Sequence, residues 1–429
     1  MRDARRHADL DRRIAGLAVP ALGALLAEPL FVATDTALVG HLGADSLAGL
    51  GIASTILQTA IGLLIFLAYA TTPLVARRLG AGDERGAVRA GVDGMWLAAA
   101  VGAGLLGTGL LGGPAAVAAF GSARAVAAEA EVYLRISVLG LPAMLVVIAA
   151  TGLFRGLQDT RTPLVIAVAG FGANAVLNAI LIYGAGLGIA GSAIGTVLAQ
   201  AGMAIACVVI AMRTARRYGA PLRPGLGGVR AAAQSGWWLL LRSLSLRAAL
   251  LATTATAAAA GTTTLAATQV LLTLYFLVAL ALDAFAIAGQ ALIGHGLGAG
   301  DLPHVRAVMR RLLRWGGVTS MVLMAVLVAV SPVLGRVFTS DPGVLAAIPP
   351  GLGAGAPVAF ARAGAGSCAP PREGARPGVR AGASSKKGIS SAPSPEAEKP
   401  SGSGPENEGE SIRFGSAIAT NIGRAAREH

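Results

Sequence analysis

The chain has 429 residues, of which 54% are hydrophobic and only 13% charged, with a mean hydropathy of +0.67. This is the composition of a polytopic membrane protein and excludes a soluble enzyme domain. Two cysteines, Cys207 in an apolar stretch and Cys368 in a polar one, build neither a disulfide framework nor a metal site, so no cofactor is expected. The net charge of +13 does not point to nucleic acid, because the Lys and Arg lie in short gaps between apolar stretches and in the tail.

In chain order, apolar spans are expected near 14–40, 46–76, 88–112, 127–153, 163–184, 190–212, 236–260, 264–294 and 308–335. Each is long enough to cross about 30 Å of hydrocarbon. Arginines fill alternate gaps: Arg2 to Arg13 before the first span, Arg77 to Arg89 after the second, Arg155 and Arg161 after the fourth. They recur at Arg213 to Arg230 after the sixth and at Arg306 to Arg311 after the eighth. By the positive-inside rule the N-terminus is cytoplasmic, in a multi-pass protein of the cell membrane.

The first span carries two acids, Glu28 and Asp35, with Pro29 between them. An acid at bilayer depth costs about 2.5–3.5 kcal/mol on insertion scales, so each is a functional-site hypothesis. Seven residues place them on one helix face, roughly 10 Å apart along the axis. Pro29 removes a backbone donor there and should kink or loosen the helix. On the fifth span Asn174 and Asn178 stand at i and i+4 and face one way. Thr196 lies on the sixth span; Asp283 and Gln290 mark one face of the eighth, with Arg242 and Arg247 of the seventh as candidates to neutralise Asp283. A buried structural ion pair is the competing reading for Asp283, and interhelical hydrogen bonding for the asparagines and Thr196. His41, His295 and His304 stand at span ends as interface residues.

Leu79-Gly80-Ala81-Gly82-Asp83 recurs as Leu297-Gly298-Ala299-Gly300-Asp301, an offset of 218 residues (301 − 83). The same offset pairs Gly43 with Gly261, Leu47-Ala48 with Leu265-Ala266, Pro114 with Pro332 and Phe120 with Phe338. A register held so long marks two halves of one fold, related by an axis along the membrane normal. The repeated turn lacks the strand and Lys-Ser/Thr of a phosphate loop and reads as a helix C-cap followed by a cap residue. From about Pro349 the composition turns to Pro/Gly/Ala/Arg and then to Ser/Glu/Lys, which predicts disorder. The expected organisation is a six-helix N-terminal bundle (1–212), a cytoplasmic linker (213–235), a partial three-helix C-terminal bundle (236–348) and a low-complexity tail (349–429). The chain is read as truncated or frameshifted at its C-terminus, and nine spans would leave the tail outside the cytoplasm.

Several stretches together resemble the MATE (multidrug and toxic compound extrusion) family, within it the DinF-like branch. They are Pro20, Glu28-Pro29 to Asp35, Gly40-His41-Leu42-Gly43, Arg77-Arg78-Leu79-Gly80-Ala81-Gly82-Asp83 and Leu141-Pro142. Arg155-Gly156-Leu157-Gln158-Asp159-Thr160 with Pro163, Gly191-Ser192-Ala193-Ile194-Gly195-Thr196, and Asp283 with Gln290 complete the set. The resemblance implies an all-α fold of two six-helix bundles around a central cavity, from which this chain departs by lacking the last three helices. It implies non-enzymatic export of small amphipathic or cationic compounds by a monomer in the lipid bilayer, coupled to H⁺ or Na⁺. It also implies a proton-linked cluster, carried here onto Asp35, Asn174, Asn178 and Thr196. Arginines on the seventh span, where sodium-coupled relatives carry an acid, favour H⁺. A lipid or lipid-linked precursor flippase on a related fold, and an incomplete protein that does not transport, are the alternatives.

Overall fold

The computed structural model describes residues 2–64, 66–259 and 261–338, and all of them are helix or short connection. The helices are α1 (Arg2–Gly40), α2 (Ala44–Leu64), α3 (Phe66–Gly80), α4 (Glu84–Ala118), α5 (Arg124–Ser137) and α6 (Leu141–Gly156). They continue as α7 (Arg161–Ala179), α8 (Gly188–Arg217), α9 (Leu226–Ala259), α10 (Thr262–Gly298) and α11 (Leu302–Phe338). The expected tail 349–429 and Cys368 lie outside the described residues.

The nine expected spans fall on α1, α2–α3, α4, α5–α6, α7, α8, α9, α10 and α11 in turn. Seven described segments are each long and apolar enough to cross a bilayer, those of α1, α4, α5–α6, α7, α8, α10 and α11. Helix α9 falls short of that measure because Arg242, Arg247 and a run of threonines dilute its apolar residues. Within 213–235, α8 runs to Arg217 and α9 begins at Leu226, so 218–225 is the irregular connection between them. It is pinned to α4, where the buried Asp93 accepts from the Gly225 amide at 2.8 Å and Trp96 donates to the Leu222 carbonyl at 2.9 Å.

Helix α1 continues through both Pro20 and Pro29 and serves two neighbourhoods. Its first part, Leu10, Ile14, Leu17 and Ala18, packs on Ala288, Ala291 and Leu292 of α10 and Val308 and Leu312 of α11. There Asp11 forms an ion pair with Arg311 and accepts from Trp315 Nε1 at 3.0 Å. Its last part, around Val39, joins Leu50, Tyr133, Leu134, Ile182 and Ile189 in a core within the first half. A second core of that half, around Val75, Leu145, Leu153, Met203 and Cys207, joins α3, α4, α6 and α8.

The repeat is visible atom by atom. After α3, Gly82 adopts φ +78°, its amide and that of Asp83 return to the carbonyls of Leu79 and Arg78, and Asp83 Oδ1 caps α4 through the Gly86 amide at 2.8 Å. After α10, Gly300 adopts φ +70°, the Gly300 and Asp301 amides return to Leu297 and Gly296, and Asp301 Oδ1 caps α11 through His304 at 2.9 Å. This is the Schellman turn with an N-cap that the sequence predicts. The two turns also meet each other. A Cβ on Gly80 would stand 1.9 Å from the His295 carbonyl oxygen, and one on Gly298 1.8 Å from that of Arg77. Since 298 and 295 are 80 and 77 displaced by the repeat offset, the contact is self-complementary between the halves.

Candidate functional site

Three helices of the first half direct polar side chains at one carboxylate carried by a fourth. Asp35, on α1, is buried at 5% exposure. Its Oδ1 accepts from Ser192 Oγ of α8 at 2.5 Å and from Asn178 Nδ2 of α7 at 2.8 Å, and its Oδ2 accepts from the Tyr133 hydroxyl of α5 at 3.2 Å. Asn174, one turn before Asn178, donates to Thr196 Oγ1 of α8 at 3.0 Å, and the two asparagine amides bond to each other. A hydrogen bond to a charged group is worth about 1.5–3 kcal/mol. Three such donors are enough to offset the cost of holding an anionic Asp35 at bilayer depth.

Local sequence makes this convergence possible. Gly191 and Gly195 lie one turn apart on α8 and let it approach α7 and the π-helical turn Ile180–Gly184 that continues it: a Cβ on Gly191 would stand 2.8 Å from the Leu181 carbonyl oxygen of that turn. A Cβ on Gly195 would stand 2.1 Å from Asn178 Oδ1. Gly195→Ala is therefore expected to push Asn178 off Asp35 and lower stability by about 1–3 kcal/mol, as overpacking does. Gly172→Ala on α7, where a Cβ meets no atom within 4 Å, is the control, and thermal unfolding of both proteins in detergent provides the comparison.

Asp35 stands on the wall of a cavity also lined by Glu28, Phe31, Gln58, Tyr133, Ser137, Met144, Phe171, Asn174, Thr196 and Met203. Phe31 and Phe171 stack across it with ring centroids 5.0 Å apart. A second cavity shares Glu28, Met144, Phe171 and Met203 with the first and adds Tyr69, Thr151 and Arg155. Glu28 thus borders both, as an exposed residue on their shared wall. The shared face expected for Glu28 and Asp35 is present, and α1 keeps its helical course through Pro29 between them.

Asp283 and Gln290 are not part of this cluster. Asp283 was expected as a second buried acid, but it is half-buried. A cation on which its charge acts is Arg155 of α6. Of the arginines expected beside it, Arg247 lies against α2, where a Cβ on Gly62 would stand 2.1 Å from its guanidinium. His41 Nδ1 bonds to the Ala37 carbonyl of its own helix at 2.6 Å.

Sequence reasoning missed Tyr133 and Ser192 as members of the site. Ser192 precedes Thr196 by one turn and so shares its face, a spacing signal that could have found it. Tyr133 sits inside an apolar span, where a hydroxyl must find a partner; that partner lies 98 residues away in the sequence.

Comparison with known proteins gives a consistent result. The family model described as MatE matches residues 20–180 and 239–363, the second stretch running past Pro349. Protein DETOXIFICATION 44, chloroplastic, of Arabidopsis thaliana is 33% identical over 347 residues, 77% of this chain and 66% of the relative. DNA damage-inducible protein F of Escherichia coli K12 is 29% identical over 328 residues, 74% of this chain and 70% of the relative. The chain thus spans about two thirds of the length of these curated relatives. A crystal structure of the Vibrio cholerae MATE transporter VcmN in the bent form is similar in fold, with a TM-score of 0.75 at 22% identity over 84% of each chain.

Proposed function

The chain belongs to the MATE family, and from that premise we propose that it is a secondary antiporter in which proton entry at Asp35 drives export of an amphipathic cation. The observation that carries the proposal is the buried Asp35 carboxylate, held by three donors on the wall of a cavity. A group that is anionic, desolvated and next to open space can take up a proton and change the hydrogen bonds around it. The same cavity suits the cargo. Glu28 supplies a negative charge, Phe31 and Phe171 supply aromatic faces, and Met144 and Met203 supply deformable apolar walls. In this proposal the arginine-rich ends face the cytoplasm of the cell membrane, and Asn174, Asn178 and Thr196 act with Asp35 as one network. One proton moving inward down 100 mV supplies about 2.3 kcal/mol, enough to sustain a modest gradient of cargo.

The test is the full chain reconstituted in liposomes loaded with a fluorescent cationic dye. An imposed pH gradient is expected to drive dye movement, and a Na⁺ gradient of equal size to leave it at the level of empty liposomes. Movement driven by Na⁺ alone would replace H⁺ as the coupling ion. No movement under either gradient would overturn the antiporter reading in favour of a protein that does not transport.

A further inference from the structure

The hydrogen bonds around Asp35 are complete only while it is an anion. All three neighbours donate, so a proton taken up on the open lone pair of Oδ2 finds no acceptor among them until one reverses. The Asn178 amide cannot turn from donor to acceptor without breaking its link to Asn174, whereas a hydroxyl can reverse by rotating its proton. Of the two hydroxyls, Ser192 binds at 2.5 Å and Tyr133 at 3.2 Å, so the longer bond is the one that yields. A reversed Tyr133 needs an acceptor of its own. One turn further along α5 and on the same helix face, Ser137 is 5% exposed, lines the same cavity as Tyr133, and its buried Oγ has no hydrogen-bond partner. Thr196 Oγ1, on the same cavity wall, has one of its two acceptor positions taken by Asn174, whereas Ser137 Oγ has both open.

We propose that Ser137 is the resting place of the Tyr133 proton when Asp35 is protonated. The incoming proton binds Oδ2 and is donated to the Tyr133 oxygen, while the Tyr133 O–H swings to Ser137 Oγ. No covalent bond other than the new O–H on Asp35 forms or breaks. Ser137 is then a positioning residue that acts through Tyr133. It is the last residue of α5, immediately before the 3₁₀ turn Val138–Gly140 that leads into α6, so the new bond reaches the point where this span changes helical course. The side chains that bond Asp35 come from α5, α7 and α8, and Tyr133 is the titratable one among them. The other acid on the cavity wall is Glu28, and the described lining carries no Lys or Arg.

The inference rests on the proton-coupling reading of Asp35, and one experiment separates the two. Infrared difference spectra of the full chain in lipid are recorded against pH, with the Asp35→Asn protein assigning the carboxyl band. Ser137→Ala removes an acceptor needed only by the protonated state, so the band should appear at lower pH by about half to one unit. Ser137→Thr should restore the original profile. Tyr133→Phe removes a donor to the anion and should move the band to higher pH; in that background Ser137→Ala should add nothing. A profile unmoved by Ser137→Ala, or moved equally with and without the Tyr133 hydroxyl, would overturn the relay while leaving Asp35 titratable. If no Asp35 carboxyl band forms at any pH, the coupling reading itself falls.

Discussion

Asp35→Asn is expected to abolish pH-driven efflux from proteoliposomes while leaving insertion and folding intact. Asparagine has nearly the shape of the acid. Its Oδ1 can keep the bonds from Ser192 and Asn178, and its amide can donate to the Tyr133 oxygen, as a protonated carboxyl would. The variant is thus a permanent mimic of the protonated state, folded but unable to exchange a proton. Its thermal stability should match that of the unmodified protein and lose any dependence on pH that comes from this site. Asn174→Ala and Asn178→Ala should each weaken efflux, and either one combined with Asp35→Asn should add little, because the three belong to one network. Glu28 borders the cavity without joining that network, so Glu28→Gln is expected to reduce transport rather than remove it. Normal efflux by the Asp35→Asn protein would take Asp35 out of the mechanism.

The second large effect is steric. Gly80→Ala and Gly298→Ala each place a Cβ within 2 Å of a backbone carbonyl on the opposite half, at 1.9 and 1.8 Å. A backbone oxygen at a helix C-terminus cannot rotate aside, so α3 and α10 have to separate. The expected cost is about 1–3 kcal/mol for each substitution, seen as a lower unfolding temperature of the detergent-solubilised protein. Because either methyl group forces the same separation, the double variant should lose less than the two single losses added together. Gly82→Ala is the contrast: no atom lies within 4 Å of its Cβ, and its cost comes from φ +78° alone, roughly 1–2 kcal/mol. Strict additivity of Gly80→Ala and Gly298→Ala would mean that the two glycines do not share one contact.

Much of this molecule is legible in the amino-acid string because the bilayer imposes local rules. Backbone groups in hydrocarbon must bond within their own helix, so a run of apolar residues is a helix whatever surrounds it. The Gly-Ala-Gly-Asp turns are equally local: a glycine with positive φ and an acid that caps the next helix are fixed by neighbours within a few residues. The repeat offset foretold that both turns would be built alike, and they are. What sequence could not supply is which polar groups meet. Asp35 and Asp93 are both buried acids in apolar spans, yet one joins three donors at a cavity and the other holds the amide before α9. Asp35 draws its partners from residues 98, 143 and 157 positions away, and the last of these could come close only because Gly191 and Gly195 let α8 settle against α7. Likewise nothing local says that α1 packs its first turns on the second half and its last turns on the first. Helix crossings decide these meetings, and they depend on the shapes of surfaces brought together from across the whole chain.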